Sequence, residues 1–570
     1  MRYFALAMDY DGTLAHHGVV DSVTIDALVR ARASGRKLIL VTGRQLIDLK
    51  ATFPRLDLFD RVVLENGAVL YRPQTQEEKS LAVAPPPSFA RELAARGVDP
   101  VSTGRVIVAT WHPHEITVLE VIRDTGLELQ VIFNKGAVMV LPTGINKETG
   151  LEAALRELGL SRHNTVGVGD AENDHAFLTK CEGAVAVANA LPVVKEEVDW
   201  VTPHAQGAGV VDLVDALLRD DLPEGLADVR RHDLLIGTRM DGSPLLLRPF
   251  GTSVLVAGAS GSGKTRATVA ILEKLADADY QYCLIDPEGD HEHVEGAVEI
   301  DSCDRPTRTQ EVVGVLSGGD NDAVVNLLEL PLEERPTYFT ALIVELQHMR
   351  ARTGRPHWIA VDEAHHMLPP EWQAAPTGLP ATLTEMLLVT VHPDRVALSI
   401  LRRMDMIIAI GAAGYETLRD YAHAVQIEAP SPPPRAPFSD EALVWRPAGG
   451  SCAEIVRLVR GRRDHLRHRR KYAEGDLSPD LSFYFRGPRG KLNLRAQNLM
   501  TFNQLAEGVD DATWLFHLRA HDYSRWFRDT IKDPTLADAA ERAESTRGLS
   551  PSVSRTIIRG AIQQRYTRSA

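Results

Sequence analysis

The chain has 570 residues, 44% of them hydrophobic and 25% charged, the balance of a soluble globular protein with roughly three or four domains. Its net charge of −14, from 63 basic and 77 acidic residues, argues against a nucleic-acid-binding surface over the whole chain. Four scattered cysteines (Cys181, Cys283, Cys303, Cys452) without CxxC spacing argue against a disulfide framework or zinc module. The absence of a leader pattern or a membrane-length apolar run adds the expectation of a cytoplasmic protein with no membrane partner.

The first element is the apolar run 4–8, short enough for a buried strand. It ends in Asp9-Tyr10-Asp11-Gly12-Thr13-Leu14. Alternate strand residues face the same way, so Asp9 and Asp11 can share one site at a sheet edge; the bland alternative is an Asp-Gly turn. A helix with Ser22 as N-cap and Gly35 as stop follows. Strand 37–41 ends in Thr42-Gly43-Arg44, and strand 61–64 ends in Glu65-Asn66-Gly67. A helix starts near Lys147, with Leu151, Leu155 and Leu158 on one face. Strand 165–169 then runs into Asp170-Ala171-Glu172-Asn173-Asp174. Such alternation predicts a doubly wound parallel α/β sheet. Asp9, Asp11 and Asp170 make a carboxylate trio suited to Mg²⁺, a cation that takes oxygen ligands. One carboxylate can attack phosphorus and another can protonate the leaving oxygen. Between the second and third of these strings, residues 73–144 read as a small lid with strands over 105–110, 129–133 and 137–141 and a helix over 115–124. Its His112 and His114 read more readily as solvated loop histidines than as substrate contacts.

DYDGTL, VTGR, the lysine of GINKETG and GDAEND, in that order, resemble the four motifs of the haloacid dehalogenase (HAD) superfamily. ENGA and the position of the insert resemble its Cof-like capped phosphatases. The resemblance covers residues 1–222. It implies Asp9 as nucleophile and Asp11 as general acid/base, with Thr42 and Lys147 on the phosphoryl group. It also implies Mg²⁺ on Asp9, the Asp11 carbonyl and Asp170, a metal shell steadied by Asn173 and Asp174, and a sugar phosphate or phosphoglycolate-like substrate.

A break at 222–225 opens a second region, 223–428. Strand 253–257 leads into Gly258-Ala259-Ser260-Gly261-Ser262-Gly263-Lys264-Thr265 and a helix to about 277. In that strand–loop–helix setting, GxxxxGKT is a phosphate cradle. Its backbone N–H groups wrap the β-phosphate, Lys264 reaches the β- and γ-phosphates, and Thr265 ligates Mg²⁺. Strand 358–361 ends in Asp362-Glu363, an acid for the Mg²⁺ shell and a carboxylate to orient water. Further strands are expected over 282–286, 386–390 and 404–410, with a helix over 337–350. VLVAGASGSGKT, IDPEGD and WIAVDEAHHM together resemble the HerA/FtsK-type P-loop ATPases over about 230–412, which implies ATP as ligand and a homo-oligomeric ring. The chain departs from that pattern at Thr390-Val-His392-Pro, where relatives often carry a polar sensor. Arg402 and Arg403 are candidates for an arginine reaching a neighbouring subunit, with a plain surface role the safer reading.

The proline-rich stretch 429–452 reads as a linker and 453–570 as a mostly helical accessory region. The basic run from Arg457 to Lys471 reads as a solvated face before a nucleic-acid patch. Phe502, Trp514, Phe516, Trp526 and Phe527 read as helix core. The expectation is an Mg²⁺-dependent phosphatase of a small phosphorylated metabolite fused to an ATPase. The alternatives are a nucleic-acid end-processing phosphatase/kinase, the pairing found in polynucleotide kinase-phosphatases, and a DNA-translocating ATPase with a vestigial phosphatase fold.

Overall fold

The computed structural model of the chain describes all residues except 135, 222–223, 228, 292–293, 295, 301–308, 320, 373–382, 451, 463–471, 473–476, 478–480, 489, 491, 532, 547 and 567–570. The break at 222–223 and most of the expected basic run therefore lie outside the described residues. The chain divides into two compact units. One holds Met1–Asp233 with the short segments Ser317–Asp320 and Leu346–His357; the other holds Leu234–Leu316, Asn321–Glu345 and Trp358–Ala570. Among the described residues no helix is long and apolar enough to cross a membrane.

The first unit is built on an eight-stranded sheet. Its order is Trp200–Val201, Gly183–Ala186, Thr165–Gly169, Ala5–Met8, Lys37–Val41, Arg61–Leu64, Val69–Arg72 and Glu77–Ser80. The first six run parallel; Val69–Arg72 returns antiparallel to Arg61–Leu64, and Glu77–Ser80 pairs antiparallel with Val69–Arg72. Both faces are covered, which is why the central strands read as unbroken apolar runs. Leu6, Met8, Leu38 and Leu40 enter one core; Ala5, Ala7, Ile39 and Val41 enter the other.

Three expectations need correction here. The first helix, Ser22–Ala33, is capped by Asp21, whose carboxylate accepts from Thr24 N, and not by Ser22. The aspartate wins because its side chain reaches the third backbone N–H of the helix. The core sheet continues to Ser80, beyond the expected lid boundary at 73, because Glu77–Ser80 is an exposed edge strand with no apolar signal to read. The lid strand expected over 105–110 begins only at Val108; the amides of 105–107 are taken by a core side chain, as described below. The lid itself is a four-stranded antiparallel sheet, Ser102–Thr103, Val108–Trp111, Ala137–Pro142 and Leu129–Asn134 in that order. Helices Pro87–Ala95 and Glu115–Thr125 pack on it around a separate small core.

The second unit contains an eleven-stranded sheet. Seven parallel strands follow one another as Met406–Ile410, Val254–Ala257, Met386–Thr390, Trp358–Val361, Tyr282–Asp286, Asp322–Asn326 and Ala297–Ile300. Four antiparallel strands extend the Met406–Ile410 side: Glu441–Trp445, Glu454–Leu458, Leu234–Arg239 and Pro244–Leu247. Glu441–Trp445 lies inside the stretch read as linker, and Glu454–Leu458 inside the stretch read as helical. The two pair with each other as a hairpin, but their outer partners, Met406–Ile410 and Leu234–Arg239, are distant in sequence, and the short runs fit a strand only in that context.

Beyond the sheet, the helices Leu499–Gly508, Asp511–Arg519, Asp522–Asp529, Pro534–Ser545 and Pro551–Tyr566 enclose their own core with the hairpin Phe483–Phe485/Leu494–Ala496. Phe502, Trp514, Trp526 and Phe527 are buried as expected, whereas Phe516 is 40% exposed. Trp514 stacks on Tyr523 with ring centroids 4.4 Å apart and donates to Ser554 Oγ at 2.9 Å. Trp514→Phe keeps the stack and removes the donor, and is expected to cost about 1–2 kcal/mol. Amide exchange in the helix Pro551–Tyr566 is the measurement; protection equal to wild type would contradict it.

Candidate active site

Three parallel strands end side by side and deliver Asp9, Thr42 and Asp170 to one edge of the first sheet, where α/β proteins bind ligands. The helix Lys147–Leu158 approaches the same edge. Asn146 caps it in a reciprocal box with Thr149, so Lys147 is its first residue. Its ammonium is fully buried and donates to Asp9 Oδ1 and to Asp174 Oδ1, both at 2.6 Å. Asp174 Oδ2 accepts from the backbone N–H groups of Asp170 and Ala171, each at 2.9 Å. Thr13 Oγ1 donates to Asp170 Oδ1 at 3.3 Å.

The carboxylate trio is Asp9, Asp170 and Asp174, whose oxygens lie within 4.8 Å of one another. This corrects the expected trio of Asp9, Asp11 and Asp170. The Asp11 side chain is bound instead by Arg44, whose Nε and NH2 donate to its two oxygens at 2.7 Å each. A fork-to-fork pair of this kind holds better than a single contact. Arg44 also donates to Asp48 and lies 5.2 Å from the Tyr10 ring centroid. Asp174, expected in the metal shell, uses its oxygens to fix Lys147 and the 170–171 backbone.

Three buried carboxylates face one ammonium, and a charge left uncompensated in the interior costs several kcal/mol. Burial, with the neighbouring Asp174 charge, pushes the Asp9 carboxyl up to about 7, although Lys147 opposes the shift. Burial pulls Lys147 down, but Asp174 and Asp9 more than reverse this and hold the ammonium above its ordinary value. The surplus of negative charge and the all-oxygen donor set fit a divalent cation of the Mg²⁺ type. Asn173 Nδ2 donates to Asn66 Oδ1 at 3.0 Å, linking the 170–174 loop to the 65–67 loop. Thr42 is buried, and its Oγ1 accepts from Arg44 N at 3.1 Å. The lid covers this edge: a Cβ on Gly43 would come 3.6 Å from Met139 Sδ. His112 is exposed and pairs with Glu115, so it offers the site nothing.

In the second unit, Gly258–Thr265 joins the strand Val254–Ala257 to the helix Lys264–Asp277. Gly258, Gly261 and Gly263 have φ of 153°, 84° and 106°, conformations that favour glycine. A Cβ on Gly258 would fall 2.3 Å from Ile410 O. Lys264 and Thr265 are buried; Lys264 Nζ donates to Ala259 O at 3.3 Å. Ser260 and Gly261 lie on the outer turn of the loop, and the buried Ser262 Oγ has no hydrogen-bond partner.

Asp362 follows the strand Trp358–Val361, and His291 Nε2 lies 2.8 Å from its Oδ2. Burial raises Asp362, but the His291 contact outweighs it and holds the carboxyl below its usual range. Burial lowers His291, yet Asp362 and then Asp286 carry it up to about 9. Burial and the Asp362 charge push Glu363 up to about 8. His291 has no motif signal apart from following the acidic turn 286–290. Thr390 Oγ1, in the segment where the sensor was in question, lies 3.0 Å from His365 Nδ1.

Residues 6–86 and 122–214 match the family model of haloacid dehalogenase-like hydrolases. A phosphoglycolate phosphatase of Methanothermobacter thermautotrophicus is 33% identical over 219 residues, covering 37% of this chain and 96% of its own length. Phosphoglycolate phosphatase 2 of Saccharolobus solfataricus is 29% identical over 224 residues, covering 37% and 91%. Among solved structures, a haloacid dehalogenase-like hydrolase from Bacteroides thetaiotaomicron is 19% identical and aligns over 37% of this chain and 98% of its own length, with a TM-score of 0.33. The match to the family model spans Asp9, Thr42, Lys147 and Asp170, and by its N-terminal part this chain belongs to the haloacid dehalogenase-like hydrolases.

Proposed function

We propose that the first unit hydrolyses a small phosphomonoester, phosphoglycolate or a sugar phosphate, through an aspartyl phosphate on Asp9, and that the second binds and hydrolyses ATP. The observation behind the phosphatase reading is the Lys147 ammonium, 2.6 Å from both Asp9 and Asp174 beside Asp170. It fixes one Asp9 oxygen and leaves the carboxylate as the group facing phosphorus. An Asp9 oxygen forms the new P–O bond as the ester P–O bond breaks, and Asp11, released from Arg44 and protonated from solvent or by the water of the preceding turnover, gives that proton to the departing alkoxide. Water then attacks the phosphorus of the acyl phosphate, Asp11 takes the water's proton, and inorganic phosphate leaves. Asp11 has to exchange Arg44 for the leaving oxygen, so substrate binding and release of that ion pair are linked. Thr42 and Lys147 hold the equatorial oxygens. Asp9, the Asp11 carbonyl and Asp170 would hold Mg²⁺, which would supply charge neutralisation for the phosphoryl group.

The names of the relatives support phosphoglycolate as the first substrate to try. Phosphate release from a panel of small phosphomonoesters, with Mg²⁺ or chelator and with or without ATP, is the test. Turnover of none of them by wild type would end the phosphatase reading.

The ATP reading is supported by the glycine loop before a buried lysine and by strand adjacency. Met386–Thr390 lies between Val254–Ala257 and Trp358–Val361, so the loop, Thr390 and Asp362-Glu363 end on one edge. Lys264→Ala is expected to weaken ATP binding by about 10- to 100-fold, the worth of one charge-assisted hydrogen bond, and to leave phosphate-ester turnover unchanged. Calorimetric titration with ATP decides it; wild-type affinity in the variant would remove Lys264 from the role.

A further inference from the structure

The loop between the strands Arg61–Leu64 and Val69–Arg72 contacts three segments of the candidate active site: Thr42–Arg44, the loop at Asn173 and the start of the Lys147 helix. Glu65, Asn66 and Gly67 all have positive φ, at 50°, 54° and 106°. Two consecutive non-glycine residues in that region are strained, and such strain persists only where surroundings impose it. Here they do. Glu65 N donates to Arg44 O and Asn66 N to Thr42 O, both at 3.0 Å. Asn66 Oδ1 accepts from Asn173. A Cβ on Gly67 would fall 1.8 Å from Asn146 O and 3.1 Å from Lys147 N, so its backbone lies directly on the start of the helix that delivers the lysine.

The Glu65 carboxylate leaves this loop for the lid. It is buried, and it accepts three successive backbone N–H groups from the turn of the first lid hairpin: Arg105 at 2.8 Å, Val106 at 2.7 Å and Ile107 at 2.9 Å. Gly104 makes this approach possible, because a Cβ there would sit 2.6 Å from Glu65 Oε1. Among the described residues, two further polar contacts to this hairpin, Gln45 to Ser102 and Glu78 to Arg105, are solvent-exposed and are worth little, while Val106 and Ile107 of the same turn bury their side chains in the main core.

We infer that Glu65 is a positioning residue that latches the lid hairpin, and that the Glu65-Asn66-Gly67 loop keeps the lid in register with Thr42, Lys147 and Asn173. The inference rests on the reading of the first unit as a phosphatase with a lid that helps bind substrate. With the latch weakened, the seated lid is less populated. Apparent affinity falls by that fraction, while turnover from the seated state is retained.

The test uses the full chain with Glu65→Gln and, from the lid side, Gly104→Ala. Both are expected to raise KM for the best phosphomonoester about tenfold with kcat within about threefold, and to speed exchange of the amides of Arg105, Val106 and Ile107. The double variant is expected to be no worse than either single one, since both break the same contact. A merely structural glutamate would lower the thermal midpoint and leave KM alone. Unchanged KM, a fall in kcat alone, or wild-type exchange at the three amides overturns the latch. If Glu65→Gln does not fold, Gly104→Ala decides, because it keeps the Glu65 carboxylate and acts from the lid side, where its Cβ would meet Glu65 Oε1 and Ile107 Cγ2. The exchange measurement also stands apart from the phosphatase reading, which the wild-type substrate panel tests separately.

Discussion

Asp9→Asn is expected to reduce phosphate release by about 10⁴-fold or more, since the reaction loses the only atom proposed to bond phosphorus. Trapping of phosphate on the protein is expected to vanish with it. Residual release within about tenfold of wild type would transfer the nucleophile's role elsewhere. The same substitution has an opposite effect on stability. Folding raises the Asp9 carboxyl from 3.8 to about 7, so between those values the folded, metal-free protein binds the proton that the unfolded chain has released. Stability from this group is therefore present at low pH and is lost as pH rises from about 4 to about 7. Asparagine carries no charge, so in chelator above pH 7 the variant is expected to melt higher than wild type, and Mg²⁺ is expected to raise its midpoint less. Thermal melts at pH 5 and pH 8, with chelator and with Mg²⁺, check both signs.

Lys147→Met should be the most destabilising single change in the site. It removes the one cation between Asp9 and Asp174 and leaves two buried carboxylates facing each other, which costs about 3–5 kcal/mol in metal-free protein above pH 7. The ammonium's own pKa is raised by folding, so its contribution is fully present at neutral pH and is lost only as pH rises through that raised value. The deficit is expected to shrink as pH falls below about 7 and Asp9 takes a proton, and Mg²⁺ is expected to raise the variant's melting point more than wild type's. Activity is lost at every pH. A variant as stable as wild type in chelator at pH 8 would mean that the two carboxylates do not depend on Lys147.

Much of the layout of the candidate site was legible because each part is local. Asp9, Thr42, Lys147 and Asp170 follow short buried strands or start a capped helix, and apolar runs, turn residues and caps are properties of a few neighbouring residues. The glycine loop before Lys264 was legible for the same reason. What escaped reading depends on contacts distant in sequence. The Asp11 carboxylate was read into the acidic trio, yet Arg44, 33 residues away, takes it. Asp174 entered the trio because Lys147, in another segment, turns one of its oxygens inward. His291 beside Asp362 likewise has a partner that no local pattern names, and the hairpin of Glu441–Trp445 with Glu454–Leu458 is placed by outer partners distant in sequence, Met406–Ile410 and Leu234–Arg239.

By itself the sequence determined where the strands end and which acids, hydroxyls and lysines those ends present, because burial on both faces of a parallel sheet writes its strands as apolar runs closed by polar turns. Only the tertiary structure decided how those groups are paired: which carboxylates share the buried ammonium, which is held off by Arg44, and which glutamate grips the lid. Pairing is settled by distances of about 3 Å between residues separated by tens or hundreds of positions, and such distances exist only once the chain has folded.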